Sequence, residues 1–156
     1  MIEPMRELVK DKTELFLLYE LETQKLVSTQ AEDTEGIADA ITARDDLIQK
    51  INSIDAKAED IRLRSDAGKR AHEIMKNRCD YSSLSEEERL LFDESQALYT
   101  VISRIRELDG LAQERLAKAA VSLKEKIRQN NANTKFTGYL KQMDQGSKGM
   151  LYDKKR

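Results

Sequence analysis

"SEEERLLFDESQALYTVISRIRELDGLAQERLAKAAVSLKEKIRQ", residues 85–129, is the stretch that decides the fold. Its apolar residues recur at Leu91, Leu98, Ile102, Ile105, Leu108, Ala112, Leu116, Ala119, Leu123 and Ile127, in steps of 7, 4, 3, 3, 4, 4, 3, 4 and 4. That is the period of one face of an α-helix. Ser85 and Glu88 have the spacing of a capping box, in which each side chain satisfies the other residue's backbone amide. Glu86, Glu87 and Glu88 also suit the positive end of the helix dipole. Unbroken to Gln129, such a helix is about 65 Å long at 1.5 Å per residue. Gly110 bends it without stopping it, and "NNANT" (130–134) ends it. A helix of this length hides its stripe only against partners of similar length.

The upstream sequence supplies them. Pro4 fits the first turn of a helix, where its missing N–H is no loss. Leu8, Leu15, Leu18, Glu22 and Leu26 then form a stripe, widened by Phe16 and Tyr19. At "STQAEDTEG" (28–36) the pattern softens, and Asp33 or Thr34 can cap a new helix. A break here is expected over a continuous helix, because a hairpin hides both stripes at once. Ile37, Ile41, Leu47, Ile48, Ile51, Ile54, Ala58 and Ile61 make the second stripe. "RLRSDAGKRAHEIMKNRCDYSS" (62–83) continues as a weaker helix that runs out near Asn77 to Ser83. The expected fold is all-α: an elongated antiparallel bundle of three to four helices over residues 1–133, with a flexible C-terminal tail over 134–156.

Composition agrees. Charged residues make up 36% and aromatics 5%, with one Pro and no Trp. This is the composition of long helices rather than of a mixed fold. A net charge of −2 gives no global attraction for nucleic acid or an anionic membrane. The apolar runs fall far short of the roughly 20 residues that span a bilayer. "MIEPMRELVK" (1–10) lacks the basic start and apolar run of a signal peptide. A soluble cytoplasmic protein is expected.

Chemistry is sparse. His72 is the sole histidine and Cys79 the sole cysteine, so neither a metal-binding pair nor a nucleophile–base pair has its second member. His72 is expected to be solvated or capping, and Cys79 a partly buried side chain in a connection. Glu59 and Glu73 lack a His three residues on, which removes a di-iron bundle site. No Gly-Lys-Ser/Thr phosphate loop occurs. Glu22 and Arg44 are the nearest polar groups within the stripes, in keeping with an ion pair at a bundle edge. No enzyme, no metal and no cofactor are expected.

The tail "FTGYLKQMDQGSKGMLYDKKR" (136–156) is a different kind of sequence. Phe136, Tyr139 and Tyr152 are three of the chain's eight aromatic residues. Solvating tails are poor in such side chains, so this one either docks back on the bundle or orders on a partner. Its six basic residues against two acidic ones from 134 onward give a solubilising bias.

Three segments, residues 8–27 with their leucine stripe, 32–55 with "EDTEG" leading into "IADAITARDDLI", and the basic ending "YDKKR" (152–156), resemble the FlgN-like flagellar export chaperones. "LVKDKTELFLLYELETQKLV" (8–27) is similar to that family's first helix, with a leucine stripe and an acid-rich face. "EDTEGIADAITARDDLIQKINSID" (32–55) is similar to the start of its second helix. "GMLYDKKR" (149–156) resembles the short basic terminus of members from Gram-positive bacteria. The resemblance implies a cytoplasmic chaperone of type III export. Such a protein binds hook-associated (hook-filament junction) proteins by their C-terminal helical segments, prevents premature assembly, and docks on the export gate or its ATPase complex. It implies partner-binding roles for Ile102, Ile105, Leu116, Ala120, Leu123 and Ile127, and for Phe136, Tyr139 and Tyr152 in the tail. No nucleic acid and no stable membrane insertion belong to this picture. The alternatives are a chaperone of the filament cap protein and a client-free helical scaffold. The drifting steps of 3, 3 and 4, 4 depart from the sustained heptad that a coiled-coil scaffold requires.

Overall fold

The computed structural model describes residues 1–129, with side chains up to Glu125. The expected tail, residues 134–156, lies outside the described residues. Four helices pack antiparallel, and no strand occurs among the described residues: α1 (Ile2–Ser28), α2 (Thr34–Arg64), α3 (Asp66–Met75) and α4 (Glu86–Gln129). A single 3-10 turn, Tyr81–Ser83, precedes α4.

The helix ends follow from their caps. The break after α1 is a turn, and Asp33 opens α2 by accepting the Gly36 amide at 2.9 Å on its carboxylate. The capping box of α4 is formed in full: the Ser85 amide donates to Glu88 Oε1 at 3.0 Å, and the Glu88 amide donates to Ser85 Oγ at 3.3 Å. α4 then continues through Gly110.

The weak helix expected beyond Ile61 is instead two helices divided at Ser65. This residue is extended (φ −163°, ψ 164°), and its hydroxyl accepts the Gly68 amide, so it caps α3. A β-carbon on Gly68 would stand 2.0 Å from the Ile61 carbonyl oxygen, so the two helices meet closely only because this residue has no side chain. α3 ends in a Schellman motif. Asn77 takes a left-handed φ of 58°, its amide donates to the Ile74 carbonyl, and the Arg78 amide donates to the Glu73 carbonyl at 2.8 Å.

The described chain divides into two compact units. The first comprises Met1–Leu18 and Gln49–Ser103. Its core includes Met5, Val9, Phe16, Ile51, Leu91 and Leu98, closed off by Ala71, Ile74 and Met75 of α3. Lys12 is ion-paired with Asp55, and the Arg6 guanidinium grips the Glu94 carboxylate with bonds of 2.7 and 3.0 Å. Tyr99 donates its hydroxyl to the Met75 carbonyl at 2.8 Å, fixing α3 to α4.

The second unit comprises Tyr19–Ile48 with the chain from Arg104 onward. Leu26, Ile37 and Ala40 pack there against Ala112, Leu116, Ala119 and Leu123, with Ile41 and Ala120 at the margin. Arg115 donates to the Thr29 carbonyl at 2.9 Å and ties α4 to the end of α1.

The stripe of α1 differs in phase from the expected one. The buried row is Met5, Val9, Phe16, Tyr19, Thr23 and Leu26, whereas Leu18 is 50% exposed and Leu8 and Leu15 are half-buried. The aromatic rings, expected only to widen the face, are its centre, because burying a large ring removes more apolar surface than burying a leucine. His72 is also not solvated. It is buried on the inner face of α3, and its Nδ1 has no hydrogen-bond partner among the described residues.

Candidate functional site

Two features beyond ordinary packing stand out, one in each unit. In the second unit three polar side chains lie inside the core. Arg44 of α2 donates through Nη2 to the Asp109 carboxylate of α4 and to the Tyr19 hydroxyl of α1, each at 2.6 Å. Its guanidinium carbon lies 4.8 Å from the centre of the Tyr19 ring, and Gln113 donates to the other Asp109 oxygen at 3.0 Å. Arg44 is 1% exposed and Asp109 is fully buried. Burial pushes the Tyr19 hydroxyl up to about 12, against the pull of the Arg44 charge. This arrangement corrects the expected ion pair at a bundle edge: Arg44 is central and its partner is Asp109. Glu22 instead accepts from Lys25, one turn along its own helix, at 2.9 Å. With its charged atoms shielded from solvent, the cluster fixes the register of three helices and presents nothing to a substrate.

In the first unit a groove of about 400 Å³ runs between α1 and α2. Asp11, Glu14, Leu15 and Leu18 line it from α1, and Lys50, Ser53, Ile54 and Lys57 from α2. Each set repeats at the three- and four-residue steps that bring helix side chains onto one face. Leu15, Leu18 and Ile54 give the groove an apolar floor, with carboxylates along one side and ammonium groups along the other. The Lys12–Asp55 ion pair joins the same two helices. This geometry suits a helix laid against two others, and it has no free backbone donors or acceptors with which to add a strand.

The residues proposed from sequence fall elsewhere. Ile105, Leu116 and Leu123 are core residues, no more than 6% exposed, and Ala120 packs beside Leu116 and Leu123 in the second unit. Ile102 is half-buried in the first unit. The side chain of Ile127, and Phe136, Tyr139 and Tyr152 altogether, lie outside the described residues. The stripe of α4 is thus spent on its own bundle as far as it is described, and a partner would reach Ile105, Leu116 or Leu123 only by opening it. The groove residues of α1 and α2 were missed, although "LFLLYEL" (15–21) carries a signal for them. It holds more large apolar residues than one helix face can hide, and Leu17, Leu18 and Leu21 are each between 41% and 52% exposed.

Among the described residues no group of His, Cys, Asp and Glu could hold a metal ion, and no helix is long and apolar enough to cross a membrane. Cys79 is half-buried in the connection after α3, where burial raises its thiol. Comparison of the chain with protein-family models, with curated proteins and with solved structures gives no match.

Proposed function

We propose that this chain is a non-catalytic export chaperone of the FlgN-like kind. In this reading it holds the C-terminal helical segment of a hook-associated protein in the cytoplasm, keeps it from assembling early, and passes it to the flagellar export gate or ATPase complex. The observation that carries the reading is the apolar groove of the first unit. It is a concave helical face with a half-exposed leucine, which is the usual means of receiving an amphipathic helix. The sequence resemblance over residues 8–27 and 32–55 supports the same reading, and those two segments contribute all of the groove's lining except Lys57.

Calorimetric titration with peptides from the C-terminal segments of hook-junction proteins tests it, on the full chain and on a form truncated after Asn133. Micromolar or tighter binding is expected. A difference between the two forms assigns Phe136, Tyr139 and Tyr152 a part in the complex. Absence of binding by both forms overturns the junction-protein reading. Binding of filament-cap segments instead would place the chain with the related cap chaperones.

A further inference from the structure

Resting on that reading, we infer that the groove between α1 and α2 in the first unit selects its helix by charge. Its occupant is an amphipathic partner helix with an apolar spine, basic residues along the flank that meets α1 and acidic residues along the flank that meets α2.

The argument starts from which charges are already used. Beside this groove Lys12 is paired with Asp55, and elsewhere in the first unit Arg6 is paired with Glu94 and Arg70 with Glu88. Asp11, Glu14, Lys50 and Lys57 are exposed, and among the described residues none of them forms a hydrogen bond or ion pair. These four line one groove, sorted by sign: both carboxylates on α1 and both ammonium groups on α2. Opposite charges that face each other without meeting leave room for something between them. Residues 11–18 and 50–57 each run about 12 Å at 1.5 Å per residue, so two turns of a partner helix fill the lined length. A spine at i, i+3, i+4 and i+7 then lies over Leu15, Leu18 and Ile54.

Other occupants fit less well. Two carboxylates balance two ammonium groups, so the groove offers no net attraction to an anionic membrane surface or to nucleic acid. A second copy meeting it two-fold would bring the same concave face, and two concavities do not fill one another.

Two helical peptides of alanine with a leucine spine test the inference, one carrying lysine on one flank and glutamate on the other, one carrying lysine on both. The native chain is expected to bind the mixed peptide more tightly. The double variant Lys50→Glu/Lys57→Glu changes only exposed side chains and makes both sides of the groove acidic. It is expected to reverse the preference, shifting the ratio of the two affinities by about tenfold, a size consistent with a few exposed ion pairs. Leu18→Ala is expected to weaken both peptides. An unchanged ratio in the double variant overturns the inference, as does a dimer in sedimentation that the double variant abolishes. Failure of both peptides on a chain that still binds junction-protein segments also overturns it and leaves the proposed function standing. Failure of peptides and segments alike removes both.

Discussion

Arg44 shows how much one residue can decide. Its charge lies in the core of the second unit with its Nε unpaired, and it is held by Asp109 and Tyr19. Removing two charges from water costs so much that their attraction only roughly repays it, whereas leaving one of them alone is strongly unfavourable. Arg44→Met is therefore expected to lose about 3–5 kcal/mol of stability, because Asp109 stays buried without its partner. The double variant Arg44→Met/Asp109→Leu is expected to recover most of that loss, and equilibrium urea unfolding of the singles and the double measures the coupling. An additive double variant would mean that the pair acts only as packing. The value of the pair lies in register. Sliding one helix by a turn would strand a charge in an apolar layer, whereas the alanines Ala40, Ala112 and Ala119 of the same unit's apolar core would tolerate the slide.

At the scale of the element, two glycines make the same substitution run in opposite directions. Gly68 lies on α3 with its missing side chain aimed at the Ile61 carbonyl, 2.0 Å from where a β-carbon would stand. Gly110 lies exposed on α4 with nothing within 4 Å of that position. Gly110→Ala is expected to stabilise by up to about 1 kcal/mol, the helix-propensity difference. Gly68→Ala is expected to destabilise, because helix backbone, unlike a flexible side chain, cannot swing aside. Thermal unfolding of the two variants checks both signs. The same elements show what could be read in advance. Both the capping box at Ser85 and the turn at Asp33 are legible because each is a local pattern of polar side chain and backbone amide. The break at Ser65 was not, since Ser-Asp-Ala-Gly within a helical run looks tolerable until Ile61 is known to approach Gly68. The phase of α1 was misread for a related reason. "LFLLYEL" (15–21) offers two apolar faces, and only the arrangement of α2 and α4 selects Phe16 and Tyr19 for the core. Leu18, left over by that choice, became part of the groove, so the site was hidden in the same ambiguity as the helix phase.

For the whole molecule, acid is the condition under which separate local environments add up in one measurement. Burial lowers the affinity of His72 for a proton from the ordinary 6.5, and Lys76 adds to the effect, with Arg62 and Arg78 acting the same way and Glu59 opposing. The unfolded chain therefore takes up this proton first, so stability falls as pH drops from 6.5 toward the folded value and levels off below it. Glu88 responds in a lower range. The Arg70 side chain first, and then the Ser85 amide, hold its carboxyl down from 4.5 to about 2. A depressed carboxylate contributes stability above 4.5 that is lost as pH falls toward 2, when the unfolded chain is protonated and the folded one resists. Arg70 and the cap together thus fasten α3 to the start of α4 less firmly in acid. Burial raises the Asp45 carboxyl, so its contribution has the opposite sign and softens the lower limb. Stability followed by urea unfolding from pH 7.5 to 2.5 is expected to decline in two stages. His72→Gln is expected to flatten the stage that begins near 6.5, and Glu88→Gln the stage below 4.5, each leaving the other in place. A His72→Gln curve that keeps its upper stage would mean that the imidazole takes up its proton as freely in the folded chain as in the unfolded one.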